Sequence, residues 1–139
     1  MPARRTPEFL SEDEVEKLFK ACKTSRERYL VAMLFDTGAR AEEFINIRYE
    51  DIFPPNGNNF YKVNLKEEYS KTCGRTIGVY WKYSNEAIKE YIEERVKQGI
   101  QLKEPLFDGT YAGARFFLGR LGEKILKRRV HFHLFRHSS

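Results

Sequence analysis

The sequence is poor in cysteine, has no long apolar run and has no low-complexity tract, and each absence excludes a class of protein. Its two cysteines, Cys22 and Cys73, are far apart and form no C-x-x-C pair, which argues against a disulfide framework. No apolar stretch approaches the roughly 20 residues that a membrane span needs, and no apolar core follows the basic start as it would in a secretory signal. We therefore expect a cytoplasmic protein that has no membrane partner.

The residues that are present describe one folded domain. Of the 139 residues, 41% are hydrophobic and 32% are charged, which is typical of a globular chain with a core of its own. The formal net charge is +5, so basic groups outnumber acidic ones. We predict a flexible basic lead over residues 1–9 and a single domain over residues 10–139.

Periodic apolar residues predict a mainly helical chain. Residues 29–35 are apolar nearly all round, as in a helix that is buried on every side. Gly38 is placed to end that helix in the left-handed conformation. Three further helices are predicted: one with the capping box of Ser11 and Glu14, one with Ser84 or Asn85 as its N-cap, and one that starts at Thr110.

Two alternating segments predict half-buried strands. Val63 and Leu65 alternate with polar residues, and Ile77 belongs to a similar segment farther along. The connection between the segments contains Lys71 and is predicted to be a hairpin turn. Residues 51–59 are dense in turn formers and are interpreted as an irregular break. The pattern predicts an α+β fold that is mainly helical and has a small antiparallel sheet.

The junction after the buried helix places an arginine on a fixed backbone. Arg40 closely follows Gly38 and precedes a short helical run in which Phe44 faces inward. A guanidinium at such a junction suits bidentate binding of a phosphate or a carboxylate. The alternative is a helix-terminal ion pair, for which Glu43 is the nearest candidate.

The last residues carry a second group of polar side chains. His133 and Arg136 are three positions apart, which places them on one face of a helix. With both ends considered, the chain resembles the tyrosine recombinase (phage integrase) family. The first box of that family, T-G-x-R-x-x-E, is matched by Thr37, Gly38, Arg40 and Glu43. The second box, H-x-x-R-H-[ST], is matched by His133, Arg136, His137 and Ser138, and Lys71 matches the hairpin lysine between the boxes.

This resemblance implies the tyrosine-recombinase catalytic-domain fold and, as the activity, DNA integration or site-specific recombination. In that chemistry a tyrosine attacks a DNA phosphate and forms a phosphotyrosyl link, so neither a metal nor another cofactor is expected. The arginines would stabilise the charge on the phosphate, the lysine would protonate the leaving oxygen, and the histidine would donate to the phosphate or accept a proton. The implied catalytic residues are Arg40, Lys71, His133 and Arg136, with Glu43 as structural support that orients Arg40.

Other interpretations of these residues remain open. A lysine in a polar turn is most often simply solvated, and Lys62 and Lys66 compete with Lys71 for the same role. The histidines of the last segment lack the carboxylate or cysteine partners that we expect of a metal site. The basic run near the C-terminal end suits either a solvated helix face or a surface for duplex DNA. The predicted DNA-binding residues are Arg75, Arg115, Arg120, Lys127, Arg128 and Arg129.

None of the eight tyrosines follows Arg136, so none matches the nucleophile of the family. We therefore expect a truncated catalytic domain whose C-terminal helices are missing, through shortening or an interrupted gene, and which is inactive alone. The alternatives are a non-catalytic DNA-binding remnant or regulator and a relative of type IB topoisomerases. We also expect self-association, because the missing helices would uncover an apolar surface. The candidates for that surface are Phe116, Phe117, Leu118, Phe132, Leu134 and Phe135.

Overall fold

The structure, a computed structural model, describes residues 10–57, 59–65 and 75–136. In these ranges the helices are α1 (Glu12–Ala21), α2 (Ser25–Thr37), α3 (Ala41–Ile45), α4 (Ser84–Lys97), α5 (Tyr111–Leu126) and α6 (Phe132–Arg136). The strands are β1 (Ile52–Phe53), β2 (Lys62–Leu65) and β3 (Arg75–Gly78), and a 3-10 turn (Tyr49–Asp51) precedes β1. The prediction of a mainly helical α+β chain with a small antiparallel sheet is confirmed. The predicted lead, residues 1–9, lies outside the described residues, so the division into lead and domain stays a prediction.

Helix α2 is the centre of the core. Its residues 29–34 are all buried, and it packs against α1, α4 and α6. The helix ends at Gly38, which has φ 61° and ψ 23° and donates its N–H to the carbonyl of Leu34 at 3.0 Å. A residue with a Cβ atom rarely adopts this left-handed backbone conformation, which explains why a glycine stands there. The buried helix and its left-handed end are confirmed as predicted.

The strands form one antiparallel sheet in the order β1-β2-β3. Val63 lies at its centre, opposite Ile52 on one side and Ile77 on the other. Strand β1 was not predicted, because its two residues open a segment rich in turn formers. Its strand conformation depends on pairing with β2, and such a pairing leaves no periodic pattern in so short a stretch.

The predicted N-cap of α4 is wrong, because Ser84 and Asn85 use their side chains for contacts between distant segments. The hydroxyl of Ser84 donates to the Asp36 carboxylate at the end of α2. The amide of Asn85 accepts the N–H of Tyr61 at 2.7 Å and donates to the carbonyl of Val79 at 3.1 Å. The cap position therefore falls one residue earlier, without a side-chain hydrogen bond.

An aromatic cluster joins α2, α3, α4, α5 and α6 and brings distant parts of the sequence together. Phe44 of α3 is its central member, with ring centroids 5.6 Å from Tyr29, 5.2 Å from Phe107 and 6.2 Å from Phe132. Phe132 also contacts Tyr111 at 5.5 Å. Because aromatic pairs at these separations attract each other beyond simple burial, the cluster holds the start of α6 against α3. The members of this aromatic cluster are Tyr29, Phe44, Tyr91, Phe107, Tyr111 and Phe132.

The predicted apolar surface is wrong at four of its six residues. Phe116 is 64% exposed and Phe117 is half-buried, but the other four candidates lie in the core. Helix α6 turns its apolar side chains inward, and α5 buries Leu118, so in this fold these residues stabilise the domain itself. The four buried candidates are Leu118, Phe132, Leu134 and Phe135.

In the described ranges no helix is long and apolar enough to cross a membrane.

The segment that leads into α6 passes directly over α5 at a glycine. A Cβ atom built at Gly122 would lie 2.6 Å from the carbonyl oxygen of Arg128 and would also clash with the side chain of Val130. The close approach is therefore available only to glycine. This close approach determines how the segment after α5 returns and brings α6 towards α3.

We predict that Gly122→Ala destabilises the domain, whereas Gly119→Ala on the same helix does not. A Cβ at Gly119 meets nothing closer than the Arg129 guanidinium at 3.7 Å, which is ordinary contact with a flexible side chain. Overpacking at Gly122 costs about 1–3 kcal/mol, whereas alanine at Gly119 gains up to about 1 kcal/mol of helix propensity. Urea unfolding followed by circular dichroism measures both variants. Equal stability of the two would contradict the close approach.

Candidate functional site

An exposed pocket of about 390 Å³ lies between α3, the N-terminal end of α5 and the start of α6. We call it the α3–α6 pocket. It contains side chains from three separate parts of the sequence. The aromatic cluster connects these parts through the contacts of Phe132 with Phe44 and Tyr111. The lining residues are Arg40, Ala41, Tyr111, Arg115, His131, Phe132 and His133.

Arg40 enters this pocket from a fixed backbone. It stands between the left-handed Gly38 and the first turn of α3, and its N–H donates to the Glu43 carboxylate at 2.9 Å. Thr37 adds a second fixed point, because its hydroxyl accepts the N–H of Ala39 at 3.1 Å. The backbone on both sides of Arg40 is therefore held while its side chain stays exposed.

Glu43 is buried and serves two partners at once. One carboxylate oxygen accepts the Arg40 N–H, and the carboxylate also receives the Arg75 guanidinium at 3.3 and 3.4 Å. Only 3% of Glu43 is exposed, so its charge needs the opposite charge that Arg75 provides. The sequence left two interpretations of Glu43 open: an ion pair with Arg40 or a support that orients Arg40. In the described contacts Glu43 accepts the backbone N–H of Arg40 and pairs with the guanidinium of Arg75.

His131 and His133 also line the pocket, with their rings side by side. Their ring centroids are 6.4 Å apart and the ring planes are nearly parallel, at 14°. Burial lowers the pKa of His131 below its ordinary value, and the charges of His133, Arg129, Arg115 and Arg128 lower it further. Each of these neighbours is a cation or a titratable base, so the surroundings of His131 are electropositive.

The predicted DNA-binding residues do not share one face. Arg115 lines the α3–α6 pocket, whereas Arg120 lies five positions farther along α5, about 140° around the helix axis. Arg120 and Arg129 line a second pocket of about 540 Å³, where the Arg120 guanidinium lies over the exposed ring of Phe116 at 5.5 Å.

The remaining basic residues of that set have other surroundings. Arg128 pairs with Glu14 of α1 at 3.5 Å, and Arg75 pairs with Glu43 at 3.3 Å. Lys127 is exposed at the end of α5, where its φ of 60° gives the chain a left-handed turn. The predicted DNA-binding set therefore includes two arginines, Arg75 and Arg128, that pair with carboxylates of the protein itself.

Two of the four predicted catalytic side chains can be placed. Arg40 and His133 line the same pocket, although they come from opposite ends of the sequence. Arg136 is the last residue of α6, and its side chain lies outside the described part of the chain. Lys71 lies outside the described residues altogether.

Two polar residues of the pocket, Tyr111 and His131, are not among the predicted site residues. Tyr111 follows the N-cap Thr110, and no local pattern distinguishes it from a solvated first-turn residue. The sequence suggests for His131 only the metal-site alternative, although its position two residues before His133 is a usable signal. Among the described residues, no group of three or more histidine, cysteine, aspartate and glutamate side chains could hold a metal ion.

The fold and the pocket together define a helical protein with an exposed cationic site, which suits an anion such as a phosphate. Residues 8–139 match the model of the phage integrase family, so the chain belongs to that family, the tyrosine recombinases.

Similar proteins include tyrosine recombinase XerA from Saccharolobus solfataricus, which is 27% identical over 122 residues, 88% of this chain and 38% of that protein. Tyrosine recombinase XerC from Listeria monocytogenes is 27% identical over 153 residues, which cover 96% of this chain and 48% of that protein. The chain therefore spans about half the length, or less, of the curated relatives that it matches.

Solved structures show the same fold. The crystal structure of XerA recombinase matches with a TM-score of 0.79 and 23% identity, over 98% of this chain and 50% of that one. The crystal structure of XerH recombinase bound to its palindromic difH substrate matches with a TM-score of 0.74 and 20% identity, over 99% of this chain and 42% of that one. The fold of this chain is thus that of a tyrosine-recombinase catalytic domain.

We predict that Glu43→Gln lowers the free energy of unfolding by about 1–2 kcal/mol, because the amide still accepts the Arg40 N–H but no longer neutralises Arg75. The loss stays below that of a fully buried pair because the Arg75 side chain is 39% exposed. Glu42→Gln, at the exposed neighbouring position, is the matched control and should change stability by less than about 0.5 kcal/mol. Denaturant unfolding of both variants measures the difference, and indistinguishable midpoints would exclude a stabilising role for the Glu43–Arg75 pair.

Proposed function

We propose that this chain provides the phosphate-binding part of a site-specific DNA recombinase and binds duplex DNA through the α3–α6 pocket. The observation that carries the proposal is that Arg40 and His133, from the two boxes of the family, line one pocket. Family membership and the fold support the same assignment. The solved XerH complex, in which that recombinase is bound to its difH substrate, supports duplex DNA as the partner.

In the proposed reaction, Arg40 binds a non-bridging oxygen of the scissile phosphate. Its fixed backbone keeps the guanidinium in place as negative charge develops, which is the arrangement that lowers a barrier electrostatically. His133 donates a hydrogen bond to the same phosphate or accepts the proton of the attacking hydroxyl. Arg136 is proposed as the second guanidinium and Lys71 as the proton donor to the leaving 5′-oxygen, as the family resemblance implies.

The alternative is a DNA-binding module or regulator without strand-cleaving activity of its own. One observation favours it: Tyr111, the tyrosine among the described residues of the pocket lining, belongs to neither family box. Tyr111 belongs to α5 and precedes the second box, which begins at His133. Self-association also remains a prediction, and of the six surface candidates Phe116 is the most exposed.

We predict that the 139-residue chain binds duplex DNA weakly and that its affinity falls by orders of magnitude between about 50 and 200 mM salt. Arg40→Ala should weaken binding about tenfold or more, because a charged hydrogen bond contributes about 1.5–3 kcal/mol. Lys89→Ala removes the same charge from an exposed position on α4, outside the pocket, and is the matched control. Fluorescence anisotropy at fixed salt measures the affinities, and equal losses in the two variants would refute the assigned role of Arg40.

We also predict that the 139-residue chain forms no covalent adduct with a nicked suicide substrate, because the tyrosines it contains do not match the family's nucleophile. Denaturing gels detect a protein–DNA adduct directly. Tyr111→Phe serves as the companion variant, since Tyr111 is the tyrosine that lines the pocket. An adduct that forms with the parent chain would contradict the expected inactivity, and its loss in Tyr111→Phe would assign the attack to that residue.

A further inference from the structure

His131 is a polar residue of the pocket to which the proposed reaction assigns no task. The second family box begins at His133, so the resemblance gives His131 no role. The structure nevertheless places its exposed ring in the wall of the α3–α6 pocket, nearly parallel to the ring of His133 and 6.4 Å from it. Its carbonyl accepts the N–H of Leu134 at 3.1 Å, which holds His131 directly before α6.

The groups that face His131 from each neighbouring element are basic. Arg40 faces the pocket from the start of α3, Arg115 from α5, and His133 from α6, while Arg128 and Arg129 belong to the segment before His131. Tyr111 is the further polar group among the lining residues, and among the described residues of the lining none is a carboxylate. The pocket therefore concentrates positive charge that its own lining does not neutralise.

We propose that His131 is a second phosphate-binding histidine, whose protonated ring contacts an oxygen of a DNA phosphate held in the α3–α6 pocket beside His133. The inference rests on the proposed function, because it takes duplex DNA as the ligand. A phosphodiester brings the negative charge that the described residues of the lining lack, and two rings 6.4 Å apart can bind different oxygens of one phosphate or two successive phosphates.

The proposal has a consequence for the pH dependence of binding. In the free protein, burial and the surrounding cations disfavour the protonated ring, so the pKa of His131 lies below its ordinary value. A bound phosphate stabilises the protonated ring and raises that pKa, so binding takes up a proton. Affinity for DNA therefore increases as the pH falls through the histidine range, by up to about tenfold for each unit by which the pKa rises.

The test is a titration of the histidine rings by NMR between about pH 5 and 8, with and without a short DNA duplex. Resonances are assigned with His131→Gln and His133→Gln, and a phosphodiester does not titrate in this range. At about 0.15 M salt the Debye length is about 8 Å, so a distant phosphate has little effect on the ring. We expect the duplex to raise the pKa of His131 by about one unit.

Anisotropy measurements on the same duplex give the second readout. The affinity of the parent chain should increase towards acidic pH, and His131→Gln should retain DNA binding at alkaline pH while losing part of that increase. A duplex that binds but leaves the pKa of His131 unchanged would overturn this inference and leave the proposed function intact. Absence of binding at every pH would instead overturn the proposed function, and this inference with it.

Discussion

The contact between Phe44 and Phe132 is the constraint on which the site depends. Their ring centroids lie 6.2 Å apart, and Phe44 also packs on Tyr29 of the central helix at 5.6 Å. Arg40 stands one helical turn before Phe44, and His133 directly follows Phe132, so the aromatic contact brings both residues to the same pocket. Burial of aromatic surface therefore stabilises the site, while the side chains of Arg40 and His133 remain exposed.

The described arginines differ in their surroundings, because some pair with carboxylates of the fold and Arg40 lines the pocket. Arg75 neutralises the buried Glu43, and Arg128 pairs with Glu14 across α1 and the segment before α6. Arg40 has its backbone held by Glu43 while its guanidinium faces the pocket. A count of basic residues along the sequence therefore overstates the positive surface open to a phosphate, and the pocket itself is a better measure of it.

Membership of the phage integrase family gives this pocket its context, because the two boxes that define the resemblance meet there. The chain covers half or less of the relatives that it matches, so the phosphate-binding role stays a proposal for this chain. In such a site a fixed guanidinium costs little reorganisation when the phosphate gains charge, and histidines can exchange protons near neutral pH. His131, which the family boxes do not name, lines the same pocket, and its proposed role would extend the phosphate-binding wall.

The sequence by itself determined the features that depend on neighbours at fixed spacing. Each of these features is contained in a short stretch of sequence. They are the buried helix, the left-handed Gly38, the alternation around Val63 and each of the two family boxes. Only the tertiary structure decided which distant groups meet. It pairs Arg75 with Glu43, and it brings the Ser84 hydroxyl to the Asp36 carboxylate as a hydrogen-bond donor. It also forms strand β1, buries Phe135 and places His131 in the pocket. The physical reason is that backbone conformation and periodicity follow from local sterics, whereas a partner across the fold is chosen by distances that no local pattern contains.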